Sequence, residues 1–396
     1  MSDLLKYALG VDASKDKMDA LLMTIDLKQN SKIKAQHTFA NTMVGFKELD
    51  QWCGKHAKEP VPVQVLIEAT GVYHEKLAIY LVDQGYSVSV VLPNKARKYM
   101  QALGLKSKND TIDAKGLALM CSQQKFDAWQ PASKYYYQLR QLTRHHQSIQ
   151  ESKTSITNQL HALHHSAYAS KEVVKQLNKT IMLFEKQIEQ IKLAIINHIG
   201  SDEAVSRKVN NICKIKGVDV LSVATVLAET NGFILFNSIS QVVSYSGYDV
   251  VENQSGKHTG KTRISKKGNS RIRRILHMPA FNVVRYEQQP FTRLYQRVYE
   301  KTKIKMKAYV AVQKKLLAMI YTLWKKEEAY QSDFKTISGN VESRALFPLV
   351  EGEFKPSRDH KKIVPQLSST TQDGHRYNII ARGPLSVSTN LKNYSK

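Results

Sequence analysis

The sequence predicts an α/β domain followed by a largely helical remainder. In the first third of the chain, short apolar and β-branched runs alternate with amphipathic stretches, which is the pattern of alternating strands and helices. From residue 135 to residue 199 there is no proline, and apolar residues recur at spacings near three, four and seven. That periodicity predicts long helices.

Residues 1–130 are predicted to form the α/β domain. Its strands are predicted as a meander over residues 6–11, 18–25 and 33–42, followed by strands at 61–69 and 86–92. Its helices are predicted at residues 44–56, 73–84, 93–103 and 111–123. A three-stranded meander followed by alternating helices and strands is the order expected of a ribonuclease-H-like domain.

The rest of the chain divides into three predicted segments. Residues 131–204 are predicted to form a helical hairpin or coiled-coil connector that spaces two domains and mediates self-association. Residues 205–330 form a second domain, mostly helical. Near its start, residues 212–229, with Gly217 at the turn, suit either a phosphate-binding helix-hairpin-helix or an ordinary packing unit. Residues 331–396 are polar and aperiodic, which predicts a poorly ordered tail.

The charge of the chain favours a polyanionic partner. There are 59 Lys and Arg against 34 Asp and Glu, a net charge of +25, and residues 254–326 hold 19 of these cations against two acids. A basic structural protein would share this balance. The three cysteines are widely spaced, which disfavours structural zinc and indicates a reducing cytoplasm. Because the sequence shows no signal or membrane-spanning segment, we expect a cytoplasmic, nucleoid-associated protein.

Four acidic residues are predicted to form a metal site: Asp12, Glu68, Asp110 and Asp113. Asp12 and Glu68 each end an apolar strand, and Asp110 and Asp113 lie on one face of a helix. Carboxylates that lie close together repel one another, and a bound divalent cation commonly neutralises their charge. Carboxylate oxygens favour Mg²⁺ or Mn²⁺ as that cation. Taken singly, each acid is more often a turn or capping residue.

A basic, glycine-rich stretch follows at residues 254–269. Ser255 is a candidate nucleophile there, because neighbouring cations make its alkoxide less costly. A serine in such a loop is usually a turn residue, and Ser265 and Ser270 are equally eligible on composition. The basic residues predicted to contact nucleic acid are Lys257, Lys261, Arg263, Lys266, Lys267, Arg271, Arg273 and Arg274.

The segments 9–15, 68–71, 109–114 and 255–269, in this order, resemble the insertion-sequence-110 or DEDD transposases, relatives of the Piv DNA invertases. The resemblance implies a RuvC-like domain, a coiled-coil connector and a C-terminal transposase domain. It implies that the four acids bind Mg²⁺ and that Ser255 attacks a DNA phosphate to form a covalent intermediate. It also implies a site completed within a dimer or tetramer. A structured guide RNA is a further expected partner, as in several members of the family.

Three other functions fit parts of the pattern. A RuvC-like structure-selective nuclease would cut DNA with metal-activated water, and an inactive relative would only bind nucleic acid. A sugar-kinase or actin-type ATPase shares the ribonuclease-H-like core, but the second half of the sequence has no glycine-rich phosphate loop of that kind.

Overall fold

The structure is a computed structural model. It describes residues 4–104, 110–252, 254–255, 258–260 and 262–331, with only the backbone for residues 110, 111, 255, 258 and 259. All of these residues belong to one compact unit. The predicted polar tail, residues 331–396, lies outside the described residues except for Gln331.

A five-stranded mixed sheet organises the first third of the chain. Its strands are β1 (Leu4–Ala13), β2 (Lys17–Asp26), β3 (Ser31–Ala40), β4 (Val63–Glu68) and β5 (Ser87–Val91). The order across the sheet is β3-β2-β1-β4-β5. The first three strands pair antiparallel, and β4 and β5 continue the sheet in parallel with β1. The predicted meander and both later strands are confirmed, with their ends shifted by a few residues.

Helices cover both faces of this sheet. They are α1 (Met43–His56), α2 (Glu75–Asp83), α3 (Pro93–Ala102) and α4 (Asp110–Gln123). On β1, Leu9 and Val11 pack in the cluster that contains residues of α1 and α2. The alternate residue Ala8 packs in the cluster that contains residues of α3 and α4. Because β1 is buried on both faces, it reads as a nearly continuous apolar run.

Helix α4 crosses β1 in direct contact with its backbone. A Cβ added at Gly10 would lie 2.2 Å from the Ala118 amide nitrogen and 2.3 Å from the Ala114 carbonyl oxygen. At the start of β1, Lys6 Nζ donates to the Cys121 carbonyl at 3.0 Å. The end of α4 therefore lies at the start of β1, so the two elements run antiparallel and the first turn of α4 comes to the carboxyl end of β1.

The predicted helical connector is a hairpin of two long helices, α5 (Lys134–His164) and α6 (Lys171–Gly200). At its base, the Tyr135 hydroxyl donates to the His198 carbonyl at 3.1 Å, and the two rings stack with centroids 4.4 Å apart. Lys153 pairs with Glu185 at 2.8 Å farther out. The hairpin is confirmed, and its base packs into the helical domain through buried Leu139, Ile195 and Ile199.

The remaining described residues form a helical domain with two short β-ladders. Its helices are α7 (Glu203–Cys213), α8 (Val220–Thr230), α9 (Ile239–Tyr245), α10 (Ser270–Ile275), α11 (His277–Arg285), α12 (Gln289–Thr302) and α13 (Lys305–Lys326). Its strands are β6 (Val250–Val251), β7 (Gln254–Ser255), β8 (His258–Thr259) and β9 (Arg263–Ile264). A 3₁₀ turn at Asn231–Phe233 follows α8.

Helices α8 and α13 form the centre of this domain. Every residue of α8 from Ser222 to Thr230 is buried, as expected of a helix surrounded by others. Two large buried side chains in this core have hydrogen-bond partners: Trp324 Nε1 donates to the Gly232 carbonyl at 2.9 Å, and the Tyr248 hydroxyl donates to Gln313 at 3.0 Å. The predicted, mostly helical structure of this part of the chain is therefore confirmed.

The turn between α7 and α8, a candidate phosphate-binding hairpin, is closely packed. Gly217 adopts a φ of +99°, and an added Cβ would lie 2.7 Å from the Asn282 Cβ on α11. The glycine is thus needed for its backbone conformation and for contact with α11. This geometry favours the packing interpretation for Gly217 itself.

No helix in the described part of the chain is long and apolar enough to cross a membrane.

Candidate active site

Asp12 and Glu68 end adjacent parallel strands at the same edge of the sheet. The register pairs Val11 on β1 with Ile67 on β4, so each acid stands one residue beyond that pair. Alternation places both acids on the face that carries Ala8 and Leu66, which is the face covered by α4. Both acids are half-buried. The structure therefore brings these two predicted ligands to one side of one sheet edge.

The first turn of α4 reaches this same edge. Asp113 is half-buried and directly precedes Ala114, whose carbonyl contacts Gly10, two residues before Asp12. Asp110 begins the helix, and its side chain lies outside the described residues. Lys106 and Lys108, shortly before this helix in the chain, also lie outside the described residues. Gly10 is thus the small residue that lets the Asp113 turn approach the Asp12 strand.

The donor set suits a hard divalent cation. Asp12, Glu68 and Asp113 offer only carboxylate oxygens, the ligands that Mg²⁺ and Mn²⁺ prefer. Among the residues whose side chains are described, no three His, Cys, Asp or Glu side chains converge closely enough to hold a metal. The carboxylate of Asp110, the fourth member of the predicted set, lies outside the described residues.

A further carboxylate, Asp19, lies beside this group and was missed in the sequence. It stands directly opposite Asp12 in the antiparallel register of β1 and β2, so both side chains project from the same face. Asp19 is only 6% exposed, accepts a hydrogen bond from the Thr38 hydroxyl at 2.6 Å and pairs with Lys17 at 3.4 Å. The sequence feature that could have identified Asp19 is the position of an acidic residue within the apolar run of β2.

The rim of this edge is held by Asn41. Its side-chain amide donates to the Ser14 carbonyl at 2.7 Å and to the Tyr73 carbonyl at 3.1 Å. It thereby ties the loop after β1 to the turn after β4. His74 in that turn is 7% exposed, and burial lowers its pKa. This burial agrees with a packing role for His74.

Ser255 lies near the tip of a β-hairpin in the helical domain. Strand β6 pairs with β9 lower in the hairpin, and β7 pairs with β8 near its tip, where Ser255 stands opposite His258. Only the backbone of Ser255 is described, and Lys257 and Lys261 lie outside the described residues. Tyr248 and Ile264 pack in the helical cluster rather than in the clusters of the sheet. Within one chain, the serine hairpin and the carboxylates therefore belong to separate hydrophobic cores.

The base of the serine hairpin is held by the residues that follow it. The Ser265 hydroxyl donates to Asp249 Oδ1 at 2.8 Å, and the Ser265 amide donates to the Asp249 carbonyl at 2.8 Å. A Cβ added at Gly268 would lie 2.4 Å from the Tyr245 carbonyl oxygen. Ser265 and Gly268 are thus positioned to close the hairpin. The hydroxyl of Ser265, which composition alone left eligible as a nucleophile, is engaged in this contact.

Glu229 connects this base to the connector. Its carboxylate is buried and accepts hydrogen bonds from Arg144 Nε at 2.7 Å, from Arg144 Nη2 at 2.9 Å and from the Asn269 amide at 2.7 Å. Asn269 in turn caps α10 by accepting from the amides of Arg271 and Ile272. Burial by itself raises the pKa of Glu229, but the hydrogen bonds from Arg144 and Asn269 outweigh it and hold the pKa below its usual range.

The predicted nucleic-acid contacts occupy different environments. Arg263, Lys266 and Lys267 are exposed on the hairpin. Arg273 donates to the Ser246 carbonyl at 2.8 Å, so it also holds the hairpin base. Arg274 is exposed and pairs with Glu151 of α5. Arg271 is half-buried beside Glu229, with Nε 4.0 Å from Oε1.

Comparison with known proteins relates both halves to DNA recombination. A family model for DEDD transposases of IS110 type matches residues 9–168, which contain most of the sheet, the four acids and α5. A model described as "Transposase IS116/IS110/IS902 family" matches residues 209–296, which contain the serine hairpin. Pilin gene-inverting proteins of Moraxella lacunata and Moraxella bovis are each 27% identical over 322 residues, covering 80% of this chain and 95% of the relative.

The two matched segments and the relatives define an enzyme of the transposase and DNA recombinase class. Within that class, the chain belongs to the IS110 family of transposases. This confirms the family resemblance drawn from the sequence motifs, and the family acts on DNA.

Proposed function

We propose that this transposase cleaves and exchanges DNA strands at a composite site, in which Ser255 is the nucleophile and Asp12, Glu68, Asp110 and Asp113 hold Mg²⁺ or Mn²⁺. The observation that carries the proposal is the approach of the α4 first turn to the paired strand ends of Asp12 and Glu68 through Gly10. The sheet order β3-β2-β1-β4-β5 supports a RuvC-like, ribonuclease-H-like domain.

The reaction is a phosphoryl transfer. Ser255 Oγ forms a bond to a DNA phosphorus, the bond to the leaving strand oxygen breaks, and that oxygen takes up a proton while the serine hydroxyl loses one. The carboxylates of this chain would hold the divalent cation at the sheet edge, where it would supply positive charge to stabilise the negative charge that develops on the phosphate. Exposed Arg263, Lys266 and Lys267 hold the DNA backbone beside the serine.

Because the two halves belong to separate cores, we propose that subunits of a dimer or tetramer combine them. The connector supports this through an exposed apolar stripe on α6, where Met182 is 68%, Leu193 58% and Ile196 52% exposed. Such a stripe at helical spacing suits a coiled coil. The basic surface also suits a guide RNA, for which a structured non-coding segment beside the gene would be the supporting observation.

A covalent intermediate is the most direct test of the proposed chemistry. Full-length protein is incubated with Mg²⁺ and DNA carrying the element ends, and protein–DNA adducts that survive denaturation are measured. We expect Ser255→Ala to abolish the adduct and strand exchange, while the matched control Ser270→Ala, on an exposed residue, retains both. Strand cleavage by Ser255→Ala without an adduct would instead indicate a nuclease that uses metal-activated water.

The carboxylate half is tested by Asp12→Asn, with exposed Asp16→Asn as the matched control. We expect Asp12→Asn to lower strand cleavage by at least about 100-fold, the scale for losing one preorganised electrostatic group. DNA binding should be retained, and Mn²⁺ binding measured by calorimetry should weaken. Recombination unchanged by Asp12→Asn would exclude this metal site, and a wild-type chain that binds DNA without cleaving it would indicate an inactive relative.

A further inference from the structure

A cleft of about 590 Å³ lies between the connector helix α5 and helices α8, α10 and α11. This volume is in the range of sites that hold a small organic group. Its lining combines cations, polar groups and apolar surface, chiefly Arg271, Arg274, His146, Gln147, Met278 and Tyr286. The sequence predicted nucleic-acid contact for Arg271 and Arg274 alone, and assigned nothing to the other four.

Two polar atoms at this cleft are buried without a partner. Within the described part of the chain, Arg271 Nε and His146 Nε2 have no hydrogen-bond partner. The nearest acid to Arg271 Nε is Glu229, at 4.0 Å, which is too long for a hydrogen bond. Buried nitrogen groups are almost always paired, so two unpaired groups lining one cleft indicate a polar ligand.

The mouth of the cleft exposes apolar surface beside charge. Tyr286 is 56% exposed and Met278 62% exposed. The side chain of Arg274 is 53% exposed and pairs with Glu151. An aromatic ring with a neighbouring arginine is the arrangement that proteins use to stack an unpaired base and hold its phosphate.

The charge of the cleft suits an anion. Asp219 is the acid among the lining residues, and its carboxylate accepts the Ser222 amide at 3.0 Å to cap α8. Glu151 is paired with Arg274 at the rim, so a bound phosphate would compete with Glu151 for that arginine. The lining therefore offers two guanidinium groups to an anionic ligand.

We propose that this cleft holds one unpaired nucleotide of a DNA strand. Its phosphate contacts Arg271 and Arg274, its base lies against Tyr286 and Met278, and His146 Nε2 hydrogen-bonds with the base or sugar. This inference rests on the proposed function, because exchanging strands between two duplexes leaves bases transiently unpaired near the serine hairpin. Asn269 links the two features, since it closes the hairpin and caps the helix that carries Arg271.

The test uses the full chain and a single-stranded DNA oligonucleotide with a 2-aminopurine base, with binding followed by anisotropy and stacking by emission. Tyr286→Ala and Arg274→Gln should each weaken binding about 10-fold, the size of one lost base stack or charge contact. Tyr286→Ala should also abolish the quenching of 2-aminopurine. Binding of fully paired duplex should be unchanged by both.

Matched controls lie close by. The control for Arg274→Gln is Arg285→Gln, which also removes one positive charge but at an exposed position of α11 outside the cleft. The control for Tyr286→Ala is Tyr168→Ala, which removes a tyrosine that is 96% exposed at the tip of the connector. Equal losses in these controls would overturn the proposal, because they would show a general electrostatic or surface effect. Unaltered quenching in Tyr286→Ala would also overturn it. RNA of the same sequence binding more tightly than DNA would overturn the assignment to DNA.

The outcomes separate this proposal from the chemistry proposed above. Asp12→Asn and Ser255→Ala should bind the oligonucleotide normally, because neither residue lines the cleft. If those variants recombine normally while Tyr286→Ala loses single-strand binding, the proposed active site is wrong and the proposed nucleotide-binding cleft is supported. If they lose recombination while Tyr286→Ala binds the oligonucleotide and quenches 2-aminopurine normally, only the proposal for the cleft is wrong.

Discussion

The carboxylate edge and the serine hairpin are held in place by different forces. The carboxylates stand on strands and a helix that are packed on both sides of a buried sheet. The hairpin consists of two-residue ladders and is closed at its base by polar contacts of Ser265, Asn269 and Arg273. Close packing fixes the carboxylates through many contacts at once, whereas the position of the hairpin depends on each of a few hydrogen bonds. The two predicted halves of the active site therefore depend on different kinds of interaction.

The largest stability effect is expected at Gly10. Gly10→Ala places a methyl group against the backbone of α4, at 2.2 Å from the Ala118 nitrogen, so the helix must move away from β1. We expect a loss of about 3 kcal/mol in the free energy of unfolding, the upper range for overpacking. Denaturant titration measures it.

Gly54→Ala is the matched control for that change. Gly54 lies within α1, and an added Cβ meets nothing within 4 Å, so the substitution should stabilise the protein by about 0.5–1 kcal/mol. Gly10→Ala with unaltered stability and unaltered Mn²⁺ binding would contradict the role of this contact in placing Asp113.

An intermediate effect is expected at Glu229. Glu229→Gln leaves Arg144 without its carboxylate, and we expect a loss on the order of 2 kcal/mol. This is less than for a fully buried pair because the Arg144 side chain is 43% exposed. Thermal unfolding of the variant against wild type measures the loss.

The stabilisation by Glu229 is also expected to depend on pH, in a direction that follows from its lowered pKa. Because the folded pKa of Glu229 is lowered, its contribution is complete above the usual value of 4.5 and is lost as the pH falls below it. The gap in stability between wild type and Glu229→Gln should therefore narrow below pH 4.5. A gap independent of pH would contradict the ionised state of Glu229.

The smallest stability effect is expected in the hairpin. Ser265→Ala removes the hydrogen bond to Asp249, and we expect a loss of about 1 kcal/mol. Strand exchange should fall more than stability implies, because the hairpin base positions Ser255. Adduct formation per folded molecule measures this, with Ser270→Ala as control. Equal adduct yields in both variants would show that the base does not position the serine.

The periodic parts of the fold were predictable from the sequence. The alternation along β1 and the long apolar spacing of α5 and α6 specify strands and helices locally, and their positions were confirmed. The connector appeared as a helical hairpin because its two helices lack internal breakers and are joined by a short turn. Element ends shifted by a few residues, since caps and fraying depend on neighbours that the local pattern does not contain.

The candidate site was only partly predictable. The strand-end acids stood out because acids at the ends of apolar runs are uncommon in a core. Asp19 did not, because its opposition to Asp12 depends on the register of β1 against β2. The cleft was also missed, since Tyr286 and His146 are separated in the chain and meet only where α5 packs against the helical domain.

The sequence by itself determined the family, the order of strands and helices, and which acids, serine and basic residues are candidates, because motifs and periodicity are local properties of the chain. The tertiary structure decided which of them are neighbours. It brought α4 onto Gly10, buried Glu229 between Arg144 and Asn269, and left the carboxylates and the serine in separate cores. Such choices follow from close packing and from the pairing of buried charges such as Glu229, and both depend on residues far apart in the chain.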